Sequence, residues 1–335
     1  MDASYKIQRG IHVHLIQFFM CPEFWVHITP EGLRFLSQRG RGSIAERNAK
    51  LILMVGVLGV SASAILVRFS QAPSGVTAAY RLGWTVLLLL PVVLLRCRAE
   101  LRRVTARDLV LCGASGVLLA LHFLTWFESL KRTSVASSTV LVSTEVIFTA
   151  LGFALFLHGK IPRLGVWAIL LAFGGSALLA LSGGGGAGEL SGNLLALAAA
   201  SAAAVYTLIG RIQRGHLSTT VYTFLTYLAC FLTLLLGTAA AGTPLTGYGG
   251  REWLIGLALA VLCTLLGHSL FSWCLKYLSP SYVSAAKLCE PVFSSLAAIP
   301  LFGEVPGPLQ LAGGAAVLGA VLLYTWAERE KTPAG

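Results

Sequence analysis

The chain of 335 residues is 56% hydrophobic and only 12% charged, against about 25% charged in soluble domains. Its mean hydropathy is +0.77, and apolar runs fill almost its whole length, which excludes a soluble enzyme, a disordered chain and a disulfide mini-domain. The net charge of +11 is not a nucleic-acid footprint, because such binders concentrate Lys and Arg on a polar surface, so composition points to a polytopic membrane protein.

Residues 1–46 do not share the apolar pattern. The stretch Ile11–Ile28 is semi-apolar but contains His12, His14, Pro22, Glu23 and His27, and it lacks a signal-peptide cleavage pattern and the length of a span. It reads as a mobile or interfacial tail, with an over-called translation start as the alternative. His12-x-His14 is too small a set to define a metal pair.

A bilayer-spanning helix needs about 20 predominantly apolar residues. On that length the sequence predicts ten, over roughly 50–69, 75–95, 108–129, 134–157, 164–182, 192–211, 219–240, 252–274, 280–302 and 308–327. The bias of Lys and Arg among short loops orients them. With a cytoplasmic N-terminus, the inner loops hold Arg96, Arg98, Arg102, Arg103, Arg107, Lys160, Arg163, Arg211, Arg214 and Lys276, and the C-tail holds Arg329 and Lys331. The outer loops hold only Arg68, Lys131, Arg132 and Arg251. Both termini are therefore expected in the cytoplasm, in a cell (plasma or inner) membrane, with the whole net charge on that side. Seven cysteines, mostly within apolar runs and without Cys-x-x-Cys, argue against a zinc site or a disulfide framework.

Self-comparison finds a repeat. Leu130-Lys131-x-x-Ser134 recurs as Leu275-Lys276-x-x-Ser279, and Glu145-Val146-Ile147-Phe148 recurs as Glu290-Pro291-Val292-Phe293. After a one-residue slip, Gly159-Lys160-Ile161-Pro162 matches Gly303-Glu304-Val305-Pro306, and His122 has a near-counterpart in His268. Five crossings per copy force the second to enter from the opposite side, and inverted repeats with a midplane site are a common carrier architecture. The expected fold is thus an all-α membrane protein of ten transmembrane helices in two inverted five-helix repeats. Its parts are a tail at 1–47, a first repeat at 48–182, a Gly-rich linker at 183–191, a second repeat at 192–327 and a C-tail at 328–335.

His122-Phe123-Leu124-x-Trp126-Phe127-Glu128-Ser129-Leu130-Lys131, followed by Thr133-Ser134-Val135-Ala136-Ser137-Ser138, resembles the first EamA-type repeat of the drug/metabolite transporter superfamily. Gly267-His268-Ser269-Leu270-Phe271-x-Trp273-x-Leu275-Lys276-Tyr277-Leu278-Ser279-Pro280 and Glu290-Pro291-Val292-Phe293 resemble the second. The resemblance spans about residues 48–327 and implies a ten-helix carrier of small metabolites or drugs, often an exporter. Val146 stands where the family often has proline, Gly159-Lys160 where it often has Gly-Glu, and Lys287 among residues usually small or apolar. The break and gate of the first half are therefore expected to differ from the family pattern.

Charges within a span are costly and normally face a cavity or a partner. Arg81, Glu145, Lys287 and Glu290 stand out. At about 1.5 Å per residue, Glu145 and Glu290 each lie ~15 Å along their spans, hence near the midplane on antiparallel helices. Lys287 and Glu290 share a face, either as a structural ion pair or as a site whose carboxylate takes up a proton while Lys287 holds an anionic group. Tyr80, Arg81 and Trp84 share a face of span 2, where Arg81 either snorkels to the interface or clamps an anion. His122 with Trp126, and His268 with Trp273, are candidates on spans 3 and 8, as helix–helix hydrogen bonders or as a relay and cavity wall. Tyr206, Tyr222 and Tyr227 are further candidates for the wall.

These residues predict a secondary carrier working by alternating access, not an enzyme, with no catalytic residue, cofactor or metal. A small polar or zwitterionic substrate such as an amino acid is expected, because both signs of charge occur near the site. Energy comes from a proton gradient or from the substrate's own. Partners are the substrate, protons and lipid, with no nucleic acid; monomer and homodimer both remain open. The alternatives are a proton-coupled exporter of lipophilic cations, which Lys287 opposes, and a membrane enzyme acting on a lipid head group, which the lack of a His-Glu-x-x-His motif opposes.

Overall fold

The computed structural model describes residues 44–156, 161–182, 187–213, 217–267 and 288–329, together with Leu270, Cys274 and Ala286. The tail with His12 and His14, most of the Gly-rich stretch, Lys160 and residues His268, Trp273 and Lys287 lie outside the described residues. Within them the chain is helical, with no strand. The elements are α1 (Ile44–Phe69), α2 (Ser74–Arg96), the short α3 (Arg98–Leu101), α4 (Ala106–Arg132), α5 (Val135–Val142), α6 (Glu145–Phe156) and α7 (Arg163–Leu181). There follow α8 (Ala187–Gln213), α9 (Thr219–Ala240), α10 (Gly250–Ala258) running into a π-helical segment (Leu259–Gly267), α11 (Cys289–Phe302) and α12 (Pro308–Arg329).

Eight helical stretches among the described residues are long and apolar enough to cross a membrane, and two shorter apolar ones cover Arg163–Leu179 and Cys289–Phe302. Most bounds fall within a few residues of the sequence expectation. The exceptions at a start are α1, which begins at Ile44 ahead of 50, and α8, which begins at Ala187 ahead of 192, with Glu189 in the first turn, where the helix dipole favours an acid. At the start of α4 the Thr105 hydroxyl receives the Asp108 amide at 3.3 Å, while Asp108 accepts the Thr105 amide at 2.9 Å, a reciprocal cap that satisfies two otherwise orphaned donors.

The predicted span at 134–157 is two helices. The chain turns at Ser143 and Thr144, between α5 and α6, and Glu145 opens the second piece. No proline makes this break. The Thr139 hydroxyl donates to Val135 O at 2.7 Å, Ser143 to Thr139 O at 2.9 Å and Thr144 to Leu141 O at 2.6 Å, and such back-bonding competes with the backbone ladder and bends helices. In the other half, Leu288 precedes α11 and Glu290 lies in its first turn.

Packing runs in matched pairs. α4 lies along α8 and α1 along the π-helical segment; α9 crosses α4, while α10 and the π-helical segment cross α2. α8 packs on α5 and α6, and α1 on α11. Three contacts join α2 with α9, α5 with α11 and α7 with α12. Small residues allow the close crossings: a Cβ on Gly116 would sit 2.5 Å from Ala229 Cβ and 2.7 Å from Thr226 O, and one on Gly175 2.9 Å from Gly313 O.

One end of the bundle is tied across four connections. Arg68, ending α1, donates to the carbonyls of Leu130 and Thr133 and pairs with Glu304 at 2.6 Å. The second Glu304 oxygen accepts the Val135 amide at 2.8 Å, and Gln310 reaches Ser134 and Ser137 at 3.1 Å each. Lys131 donates to Ala72 O at 2.6 Å, and Glu252 accepts from the Ser70 hydroxyl and the Gln71 amide.

Candidate functional site

Between the two halves lies a cavity of about 400 Å³. From the first half it is lined by Ser63, Arg81, His122, Phe123, Trp126 and Glu145. From the second half come Ala203, Tyr206, Thr207, Tyr227, Thr264 and Glu290. Seven of the thirteen residues singled out in the sequence (Arg81, His122, Trp126, Glu145, Glu290, Tyr206 and Tyr227) thus meet at one place. Lys287, His268 and Trp273 lie outside the described residues.

Arg81 does not snorkel. It is 4% exposed, its Nε donates to the Thr264 hydroxyl at 3.0 Å and its Nη1 to the Ser63 hydroxyl at 3.1 Å. The guanidinium carbon stands 4.5 Å over the Phe123 ring, a cation–π contact. Thr264 is in place because the helix is widened there: its own hydroxyl donates to Leu259 O, five residues back, at 3.2 Å. Single π turns of this kind often mark functional positions. Glycines on both sides of the contact with α1 admit the wider turn, since a Cβ on Gly59 would sit 3.0 Å from Leu262 O and one on Gly267 2.5 Å from the Val60 side chain.

Glu145 accepts a hydrogen bond from the Thr207 hydroxyl at 2.7 Å. Its place in the first turn of α6 puts the carboxylate at the positive end of that helix. Glu290 occupies the equivalent place on α11 and lines the same cavity. His122 Nδ1 is 3.0 Å from Ala199 O, and its ring stacks on Trp126 with centroids 5.8 Å apart. That places His122 as a bonder between α4 and α8 within the cavity wall. Trp126 is 6% exposed, and its Nε1 has no acceptor among the described residues.

Tyr80 and Trp84 share the helical face of Arg81 but go elsewhere. Tyr80 stacks on Trp253 at 4.0 Å and donates to Leu245 O, and Trp84 meets Trp253 edge-on at 6.4 Å. The reason is packing: a Cβ on Gly256 would sit 2.6 Å from Tyr80 Cβ, so α10 lies directly against this part of α2. Tyr222 also points away, to the Ser115 hydroxyl at 2.7 Å. Ser294, which continues the stripe of Glu290, donates to Ser61 O at 3.0 Å and fastens α11 to α1. Ser63, Phe123 and Thr207 carry the site without having been singled out. The available signal was weak, a polar residue inside an apolar run.

A family model described as the EamA-like transporter family matches the chain twice, over residues 48–181 and 190–326. The pseudopaline exporter CntI of Pseudomonas aeruginosa (strain UCBPP-PA14) is 24% identical over 207 residues, covering 62% of this chain and 72% of that protein. A probable terminal-alkyne amino-acid exporter of Streptantibioticus cattleyicolor is 28% identical over 233 residues, covering 66% of this chain and 75% of that one. A solved crystal structure superposes with a TM-score of 0.54 at 18% identity, covering 84% of this chain and 98% of the other, a likeness of fold.

Proposed function

Because the chain belongs to the EamA-like transporter family, we propose that it is a secondary carrier that exports small polar or zwitterionic metabolites of the amino-acid kind by alternating access. Ten spans, in two inverted repeats at 48–182 and 192–327, rock about the shared cavity, with both termini in the cytoplasm. The matched packing supports that arrangement: the pair α4/α8 answers α1/π-helical segment, and α2/α9, α5/α11 and α7/α12 each join a helix to its own counterpart. The relatives named as exporters of pseudopaline and of an alkyne amino acid support export of a small metabolite.

The observation that carries the reading is the placement of Glu145 and Glu290 in the first turns of two half-helices, facing one cavity with Arg81. Interrupted helices that present their termini to a midplane site are the usual carrier device. Proton uptake by these carboxylates is the coupling step we assign. The test is flux of radiolabelled amino acids in proteoliposomes with an imposed pH gradient. Glu145→Gln and Glu290→Gln should each lower coupled flux about 100-fold or more, the lower bound for a positioned acid–base group, in protein that elutes as the folded species. Full flux in both variants would end the assignment.

A further inference from the structure

We propose that this cavity reads the carboxylate end of an α-amino acid, held by the open edge of Arg81 and by Nε1 of Trp126. The proposal rests on the carrier reading above and adds which end of the substrate is recognised, and by which atoms.

A guanidinium has five N–H donors in a rigid fork. Here Nε and one Nη1 hydrogen are used, both on neutral hydroxyls, and Nη2 has no acceptor among the described residues. No carboxylate of the described residues stands within 4.0 Å of it. The side chain is nevertheless 96% buried, being 4% exposed. Trp126, 6% exposed and lining the same cavity, leaves its indole N–H equally unmet. An unmade buried donor such as the Trp126 indole is unfavourable, and a buried guanidinium whose direct contacts among the described residues are neutral groups is costly in a membrane helix. What completes both is a planar anion able to take two parallel bonds from the fork.

Acidic groups line the same cavity. Glu145 uses Oε1 on Thr207, its Oε2 has no partner among the described residues, and Glu290 lines the same space. Among the described residues one guanidinium and two carboxylates line the space, which favours a monoanion over a phosphate dianion. A ligand with a carboxylate at Arg81 and an ammonium toward Glu145 satisfies both charges. The volume of about 400 Å³ fits a molecule of single amino-acid size.

The experiment measures binding to the purified full chain in detergent. The twenty proteinogenic amino acids are each titrated, and every binder is compared with its decarboxylated amine, for leucine 3-methylbutylamine. Removing the carboxylate should weaken binding about 30-fold, the scale of a charge-assisted bidentate contact. Arg81→Gln should cut that ratio to about 3-fold or less. Trp126→Phe, which keeps an aromatic ring and removes the N–H, should lower acid affinity about 5-fold more than amine affinity. A merely structural role would move acid and amine together. Amines that bind as tightly as their acids, an acid-to-amine ratio unaltered in Arg81→Gln, or the absence of any amino-acid binding by the folded chain would overturn the proposal. Trp126→Phe decides it alone should Arg81→Gln not fold. The carrier reading fails by a different result: amino acids that bind but are never moved across proteoliposomes.

Discussion

Arg68 and Arg81 lie on adjacent helices and meet opposite fates. At the tied end of the bundle, Arg68 is saturated by two carbonyls and by Glu304, whose second oxygen takes a backbone amide. In the cavity, Arg81 has two hydroxyls and an aromatic face, and Glu145 has one hydroxyl. The first arrangement spends three donors of Arg68 and both oxygens of Glu304 on holding α1, α4, α5 and the α11–α12 connection together. The second holds each charge in a fixed direction and leaves part of it open. Loss of a charge should therefore cost stability at the tied end and transport in the cavity.

Glu304→Ala is the sharpest attack on the tied end. It leaves the Val135 amide without its acceptor and Arg68 with its two carbonyls but no counter-charge, where the Arg68 and Glu304 side chains are 27% and 18% exposed. A fully buried pair broken in this way costs about 3–5 kcal/mol, and partial exposure lowers that to roughly 2 kcal/mol. The unfolding midpoint in detergent should fall by several degrees, and Glu304→Gln should recover part of it. An unshifted midpoint would mean that the tied end is decoration.

Thr264→Val removes one hydroxyl of the same size from the cavity. Stability should fall by about 1 kcal/mol for the lost hydrogen bond to Leu259 O and the acceptor removed from Arg81. Flux should fall further in proportion, because Arg81 loses the acceptor that aims it. A loss of stability with flux intact would show that the π-helical segment serves packing alone. Glu145→Gln is milder for the fold, since the Thr207 hydroxyl can donate to the amide oxygen instead. Its midpoint should move by less than the equivalent of about 0.5 kcal/mol, as for substitutions that strand no group, while the flux loss stated above remains.

How far the site was legible follows from the same chemistry. A charge inside an apolar run cannot be explained by the bilayer, so Arg81, Glu145 and Glu290 are visible in the bare sequence. The duplicated Glu-x-x-Phe segments further tie two of them to equivalent places. Ser63 and Thr207 are not visible, because hydroxyls in membrane helices commonly bond their own backbone, as Ser61 does to Val57 O and Thr85 to Arg81 O. Nothing local separates those from the ones that hold a charge. Helical spacing put Tyr80 and Trp84 on the face of Arg81, but a face is broad enough to meet two neighbours, and α10 takes the aromatic part of it. The break before Glu145 was hidden because Val146 stands where a proline would have announced it. Three back-bonded hydroxyls, of Thr139, Ser143 and Thr144, make the turn instead.

The smallest effect tests whether sign-pairing or burial separates the two regions. Arg132 belongs to the tied end and pairs with Glu128 one turn away at 2.9 Å, yet the two side chains are 47% and 36% exposed. If opposite charge were enough, Arg132→Ala would resemble Glu304→Ala. An exposed pair at this spacing contributes only about 0.3–0.5 kcal/mol, because water and salt already screen it. Glu128 also keeps the Ser74 hydroxyl at 2.9 Å, so nothing buried is stranded. The midpoint should therefore shift by a small amount that vanishes in high salt, whereas the Glu304→Ala shift should persist there. Equal salt sensitivity in the two variants would erase the distinction between a paired charge and a buried one, and with it the reason for expecting Arg81 to wait on a ligand.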